Sequence, residues 1–353
     1  MKFLLFSSWL LITLFSHPSV TLATDLSAMK SFEDWCNRRN SLPLETQQTI
    51  NYLLEAAGTP YCRSADTALK QRTEILTSSP NSSNISDLRP FSSLTNLRKL
   101  SLFSHKITDL TPIANLPNLE VLVIHSNALT DLTPIASLNN LTDLGLIGRN
   151  ITDIRPFANL TQLQKFTLWY SSIQNIDALK DLIQLTEVSF INTQISDLSS
   201  LANLKTLAIL EVNSSKVKNI QPLSGLSNLR KLELQNNQIT NIKAISSLTN
   251  LKSLKLNRNQ IWDLRSLSNL KKLVSISLSH NQIVDVTPLA ALTDLETISL
   301  QNNRITSIQS LASLKKLERL VVSQNPIKNR VCPVNPLSIC SFENSPSDDL
   351  LEL

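Results

Sequence analysis

From Leu97 onward, leucine and isoleucine return at fixed places every 22 residues, without an insertion or a deletion. Units begin at Leu97, Leu119, Leu141, Leu163, Leu185, Leu207, Leu229, Leu251, Leu273, Leu295 and Leu317, which makes eleven. A partial unit precedes them, with Ile85, Leu88, Phe91 and Leu94 in matching places. In the unit from Leu229 to Asn250, LRKLELQNNQITNIKAISSLTN, the alternation of Leu232 and Leu234 predicts a short strand with one buried face. Lys231, Glu233 and Gln235 then point to the other face. Asn237 follows where the chain bends inward, and its amide suits the backbone groups of that turn, which burial would otherwise leave unpaired. Stacked copies predict an asparagine ladder at Asn127, Asn237, Asn259, Asn281, Asn303 and Asn325. Five units depart from it, with His105, Arg149, Ser171, Thr193 and Ser215 in that place. A hydroxyl partly replaces the amide, but Arg149 accepts nothing, so local loosening is expected around the third unit.

The second half of each unit reads Ile-x-Asp-Leu/Ile-x-Pro-Leu/Ile-Ala-x-Leu. Asp109, Asp131, Asp153, Asp197, Asp263 and Asp285 share a position suited to accepting backbone N–H bonds in a tight turn. Thr-Pro at 111–112, 133–134 and 287–288 reads as an N-cap followed by the first residue of a 3₁₀ or short helix. These columns are scaffold chemistry rather than an acid/base site. The unit matches the leucine-rich repeat pattern, and its N-x-I-x-D-I/L-x-P-L form resembles the internalin-like, SDS22-type class. The resemblance spans Ile85 to about Ile327. It implies an α/β solenoid: a leucine-rich repeat horseshoe with a parallel β-sheet on the concave face, 3₁₀ or short helices on the convex side and a helical N-terminal cap. It also implies protein recognition on the concave sheet. The Trp35-Cys36 segment with its Leu-Leu-Glu-Ala-Ala-Gly-Thr helix further resembles the caps of secreted bacterial leucine-rich proteins, including cyanobacterial ones.

Such a solenoid needs both ends of its core covered. Residues 24–84 are expected to form the front cap and residues 85–327 the repeats, with 328–353 a closing loop and polar tail. At the front, Ser41-Leu-Pro43 opens a helical pattern through Leu44, Ile50, Leu53, Leu54 and Ala57, which Gly58 stops. A second short helix is expected from about Ala65 to Leu76. Four cysteines allow three pairings. A long rod separates its ends, so Cys36–Cys62 and Cys332–Cys340 are the sterically easy combination, and no nearby histidine supports a zinc reading.

Composition narrows the function. With 42% hydrophobic and 17% charged residues the chain can bury a core. Only 4 of 353 residues are glycine, against a usual ~7%, which argues against a glycine-rich phosphate cradle. The net charge of +5 is too dilute for a nucleic-acid footprint. Lys2, the apolar run Phe3–Phe15 and the exit Thr21-Leu22-Ala23 read as a signal peptide over residues 1–23, with an uncleaved anchor as the alternative. No second apolar stretch of spanning length follows. The expectation is a monomeric protein, secreted, periplasmic or at the cell surface, with no cofactor and no metal. Asn-x-Ser/Thr triplets at Asn81, Asn84, Asn140, Asn150, Asn159 and Asn213 mostly restate the repeat's own wording.

No enzyme is expected: His105, His125 and His280 lie in different units, none beside an evident nucleophile, and no residues remain for a catalytic domain. An intracellular SDS22-like scaffold that regulates a phosphatase is the alternative reading. The column at the end of each strand, taken as outward-facing, is the most informative about function. Phe103, His125, Ile147, Trp169 and Ile191 are apolar or aromatic, with Tyr170 beside the tryptophan. Asn213, Gln235, Asn257, Ser279, Gln301 and Ser323 are polar. The first group spans roughly 20 Å at ~4.8 Å per strand and is the expected partner-binding surface.

Overall fold

The computed structural model describes residues 29–76 and 83–343. The signal segment 1–23, Asn81 and the tail from 344 lie outside them. Among the described residues thirteen parallel strands form one sheet in the order of the chain. They are β1 (Glu74–Leu76), β2 (Lys99–Phe103), β3 (Val121–His125), β4 (Asp143–Ile147), β5 (Lys165–Trp169), β6 (Glu187–Ile191) and β7 (Ile209–Asn213), then β8 (Lys231–Glu233), β9 (Ser253–Lys255), β10 (Ser275–Ser277), β11 (Thr297–Ser299), β12 (Arg319–Val321) and β13 (Cys340–Ser341). Register follows the repeat: Lys99 faces Val121, Val121 faces Asp143, and each later strand steps by one unit as far as β12. Both end strands break the step, with Glu74 facing Lys99 and Leu320 facing Cys340, because these strands belong to the caps.

Leucine and isoleucine from each strand and each return segment fill one continuous core, with Leu100, Leu102, Ile107, Leu110, Ile113 and Leu116 of the first unit all buried. A single unit cannot bury its own apolar face, so stacking is what makes the core. Under β5 the filling is aromatic. Phe157, Phe166 and Phe190 pack edge to face with centroids 5.7 and 5.8 Å apart.

The return segments are 3₁₀ turns such as Thr111–Ile113, Thr133–Ser137 and Thr287–Ala291. Their capping differs from the expectation. Thr111 is itself the first helical residue and its N–H is satisfied by Asp109 Oδ1 at 2.8 Å. Asp131, Asp153, Asp197, Asp263 and Asp285 do the same two residues downstream of themselves. A second asparagine row runs along the edge where return segments meet the next strand. Asn118, Asn140, Asn228 and Asn250 each donate to a carbonyl of the preceding unit, at 2.7–2.9 Å, and Asn96 donates to Lys70 O of the front cap at 2.6 Å. Asn140 of the Asn-Leu-Thr triplet therefore spends its amide on Pro117.

Among the described residues three helices build the front cap: α1 (Phe32–Asn37), α2 (Leu44–Ala57) and α3 (Cys62–Gln71). Ser31 and Asp34 close a capping box on α1, a helix the apolar periodicity alone does not announce. Gly58 ends α2 at φ 70, where a Cβ would be strained. The helix expected over Ala65–Leu76 stops at Gln71, and Glu74–Leu76 leaves it to become β1. An edge strand waiting for a partner at β2 outweighs helical propensity there. Asp66 of α3 accepts from the Phe32 and Glu33 N–H groups and from Lys70, which ties α1 to α3. Asp87, Arg89 and Thr46 tie α2 to the first repeat, with the Arg89 guanidinium 5.7 Å from the centre of the Trp35 ring. Disulfides join Cys36 to Cys62 and Cys332 to Cys340.

Candidate binding surface

The turn after each strand decides which side chains face out, and it adopts two forms. From β8 on, the ladder forms as expected. Asn259 Nδ2 donates to the carbonyls of Leu234, Leu256 and Asn257, and its Oδ1 accepts from Ile239 N at 3.0 Å. Asn237, Asn281, Asn303 and Asn325 repeat this set. The residue just before each ladder position has positive φ, from Tyr170 (54) through Asn192, Ser214, Asn236, Arg258, His280 and Asn302 to Gln324. That left-handed step throws one side chain out and drops the next one in.

In the first three units the step is missing and the inner place falls one residue earlier, on Ser104, Ser126 and Gly148. Ser126 is fully buried, donates to Ile107 O at 2.7 Å and accepts from Ala128 N at 3.2 Å. Gly148 permits a close approach, since a Cβ there would sit 2.3 Å from Ser126 O. His105 and Arg149 are consequently exposed and Asn127 half-exposed. This corrects two expectations. Asn127 is not a rung of the ladder, and Arg149 does not loosen a buried turn because it never enters one.

The end-of-strand column divides elsewhere, between Ile191 of β6 and Asn213 of β7. Phe103 faces His125, His125 faces Ile147, Ile147 faces Trp169 and Trp169 faces Ile191, strand by strand over β2–β6. Phe103 is 42% exposed and Tyr170 48%, while the other four are half-buried. The polar half is a different surface from the expected one. Gln235 is only 7% exposed, and Asn257, Ser279, Gln301 and Ser323 are buried too. Two of them are tied to neighbouring strands: Asn257 Oδ1 accepts from Ser277 Oγ and Ser279 N, and Ser279 Oγ lies 2.8 Å from Ser299 Oγ. That half of the concave face is closed by its own side chains, whereas the front half stays open and apolar.

A charged belt borders the open row. Trp169 Nε1 donates to Ser189 Oγ at 3.0 Å, and Ser189 Oγ donates to Glu211 at 2.9 Å. Lys231 bridges Glu211 and Glu233 at 2.5 and 3.1 Å, and Lys165 pairs with Glu187 at 2.8 Å. The tryptophan is thus partly open surface and partly network member. Asp143, Lys165, Trp169, Glu187 and Glu211 line a depression of about 450 Å³. Burial pushes the Asp143 carboxyl above its ordinary range, with Lys165 opposing and Glu187 reinforcing. Burial also works against the Lys231 charge, but its two glutamates outweigh it and raise its pKa. At the front end, His105 and His125, from adjacent units, meet edge to face at 4.4 Å, and Phe103 stands edge-on to His125 at 6.1 Å. Burial, helped by His105, pushes the His125 imidazole below its ordinary value, which favours its neutral form.

The family profile "Leucine Rich repeats (2 copies)" matches residues 227–269, 249–291, 271–312 and 293–337, all within the stretch that carries the regular ladder. No curated protein matches the chain. Among solved structures, an internalin (inlF) from Listeria monocytogenes is 27% identical, with TM-score 0.64 over 84% of this chain and 95% of that one. The functional domain of InlJ from Listeria monocytogenes is 19% identical, with TM-score 0.53 over 85% and 77%. The PEPR1–AtPEP1 complex is 21% identical, with TM-score 0.57 over 67% and 36%. The last two share the fold alone. Among the described residues no helix is long and apolar enough to cross a membrane, and no three metal-ligating side chains gather.

Proposed function

We propose that this chain, a leucine-rich repeat protein of the internalin-like class, is a non-catalytic, monomeric protein-binding module that acts outside the cytoplasm through the front half of its concave sheet. The observation that carries the reading is the row Phe103, His125, Ile147, Trp169 and Ile191, in register on five adjacent strands and left open where the same column further along is polar and closed. Interfaces draw most of their energy from a few aromatic anchors inside a polar surround. Trp169 and Phe103 supply the anchors here, and the Lys165–Glu187 and Lys231–Glu211 pairs supply the surround. Tyr170 adds support. Its φ of 54, close to that of the corresponding residue in every later unit, turns an exposed ring out beside Trp169. The apolar residues 3–15 and the two disulfides support a location outside the cytoplasm. No feature of the site favours the intracellular phosphatase-regulating alternative.

The test is a pull-down followed by affinity measurement with the captured protein. Trp169→Ala should weaken binding by about 2 kcal/mol, roughly 30-fold, while Gln324→Ala at the far rim leaves it unchanged. An unchanged affinity in Trp169→Ala, with the fold intact by circular dichroism, removes the concave row as the binding site.

A further inference from the structure

A second aromatic feature lies away from the concave face, on the flank where each unit turns from the sheet toward its 3₁₀ segment. The residue following the buried isoleucine, leucine or valine there is polar in nine of eleven units: Thr108, Thr130, Thr152, Gln174, Ser196, Lys218, Thr240, Thr306 and Lys328. The exceptions are the adjacent Trp262 and Val284, which are 61% and 55% exposed. The Trp262 side chain lines a cleft of about 640 Å³ together with Asn241, Lys243, Ser246, Asp263 and Arg265. That volume is in the range of small-molecule sites. Arg265 Nε bonds both Asp263 oxygens at 3.0 Å and a terminal nitrogen bonds one at 2.7 Å, so the pair holds two planar groups rigidly with their charges mutually satisfied.

We propose that this cleft binds a neutral oligosaccharide, independently of the concave surface. An exposed indole presents an electron-rich face, which attracts the polarised C–H groups on one side of a pyranose ring. The rest of the lining is amide and hydroxyl groups, the Asp263–Arg265 pair and the Lys243 side chain, so hydrogen-bonding groups surround the indole as a ligand bearing many hydroxyls requires. A protein docking here would need a contiguous apolar patch of several hundred Å², and two side chains amid polar neighbours do not provide one. The third unit supplies an internal control. Asp153 and Arg155 repeat the same bonded pair, with Thr152 in place of the tryptophan. The pair is therefore scaffold wherever it occurs, and the indole is what turns one copy into a site.

Saturation-transfer NMR on the full chain with chitotriose, cellotriose, mannotriose and maltotriose, each at about 1 mM, reads weak binding of this kind. At least one sugar should receive saturation, Trp262→Ala should abolish the transfer, and Trp169→Ala and Arg155→Ala should leave it intact. Arg265→Ala should weaken it at least 3-fold. The proposal is overturned if none of the four sugars shows transfer, if transfer survives Trp262→Ala, or if Trp169→Ala removes it. The last result would move sugar binding to the concave row.

Discussion

Asn259 and Asn127 occupy the same place in the 22-residue unit, yet the structure assigns them opposite importance, and alanine substitution measures the difference. Asn259 is buried. Three carbonyls share its two amide protons, and its oxygen satisfies Ile239 N, so the side chain supplies about three hydrogen bonds' worth of pairing to groups with no access to water. At about 1 kcal/mol net each, Asn259→Ala should cost about 3 kcal/mol. Asn127 makes one bond at 3.3 Å, to Arg149 N, and one at 3.4 Å, to His105 Nδ1, at a half-exposed site. Asn127→Ala should cost less than about 1 kcal/mol, because water can replace both partners. The inner place in that unit is Ser126, so Ser126→Ala should cost about 1–2 kcal/mol through Ile107 O and Ala128 N. Urea unfolding followed by far-ultraviolet circular dichroism ranks the three variants. Equal losses for Asn259→Ala and Asn127→Ala would refute the two-form account of the turn.

Leu168→Ala should lower stability by about 2–5 kcal/mol through a core cavity, as read by denaturant unfolding, while Trp169→Ala costs about 1 kcal/mol for the Ser189 bond. A loss at Trp169 as large as that at Leu168 makes the indole structural. Cys36 and Cys62 are 26 residues apart and Cys332 and Cys340 only 8, so loop entropy gives the front disulfide about 3.5 kcal/mol against about 2.6 kcal/mol for the rear one. Cys36→Ala should then depress the melting temperature more than Cys340→Ala, and the reverse order in calorimetry counts against the entropic account. Burial opposes ionisation of Asp87, but bonds from Arg89 and Thr46 outweigh it and hold the carboxyl below its ordinary range. Its contribution is complete above the unfolded value of about 3.9 and is lost as pH falls through the lower folded one. Asp87→Asn should therefore flatten the fall in stability below about pH 4, and parallel acid titrations with an unchanged slope would show that the cap does not rely on this carboxylate.

The repeat, the parallel sheet, the buried leucine columns and the identity of the two disulfides were legible in the chain, because a period of 22 residues fixes which side chains meet whatever the details of each turn. Gapless register also made the row from Phe103 to Ile191 readable, since residues one period apart must lie side by side on neighbouring strands. What the period cannot say is how the backbone rotates between fixed points. A single left-handed residue at Tyr170 and its successors decides whether the eighth or ninth residue of a unit is inside, and the first three units do without it. The rotation depends on competition between small residues such as Ser126 and Gly148 and the multi-bonded asparagines for one buried place, an energy comparison across neighbouring units. The closure of Gln235, Asn257 and Ser279 is likewise a property of stacked neighbours, because a side chain that alternation points away from the core is exposed only if no adjacent rung covers it. At the front, Glu74–Leu76 has helical continuity behind it and an unpaired strand edge beside it, and only the assembled sheet makes that edge available. Local pattern determined which atoms could meet, and tertiary packing decided which of those meetings excluded water.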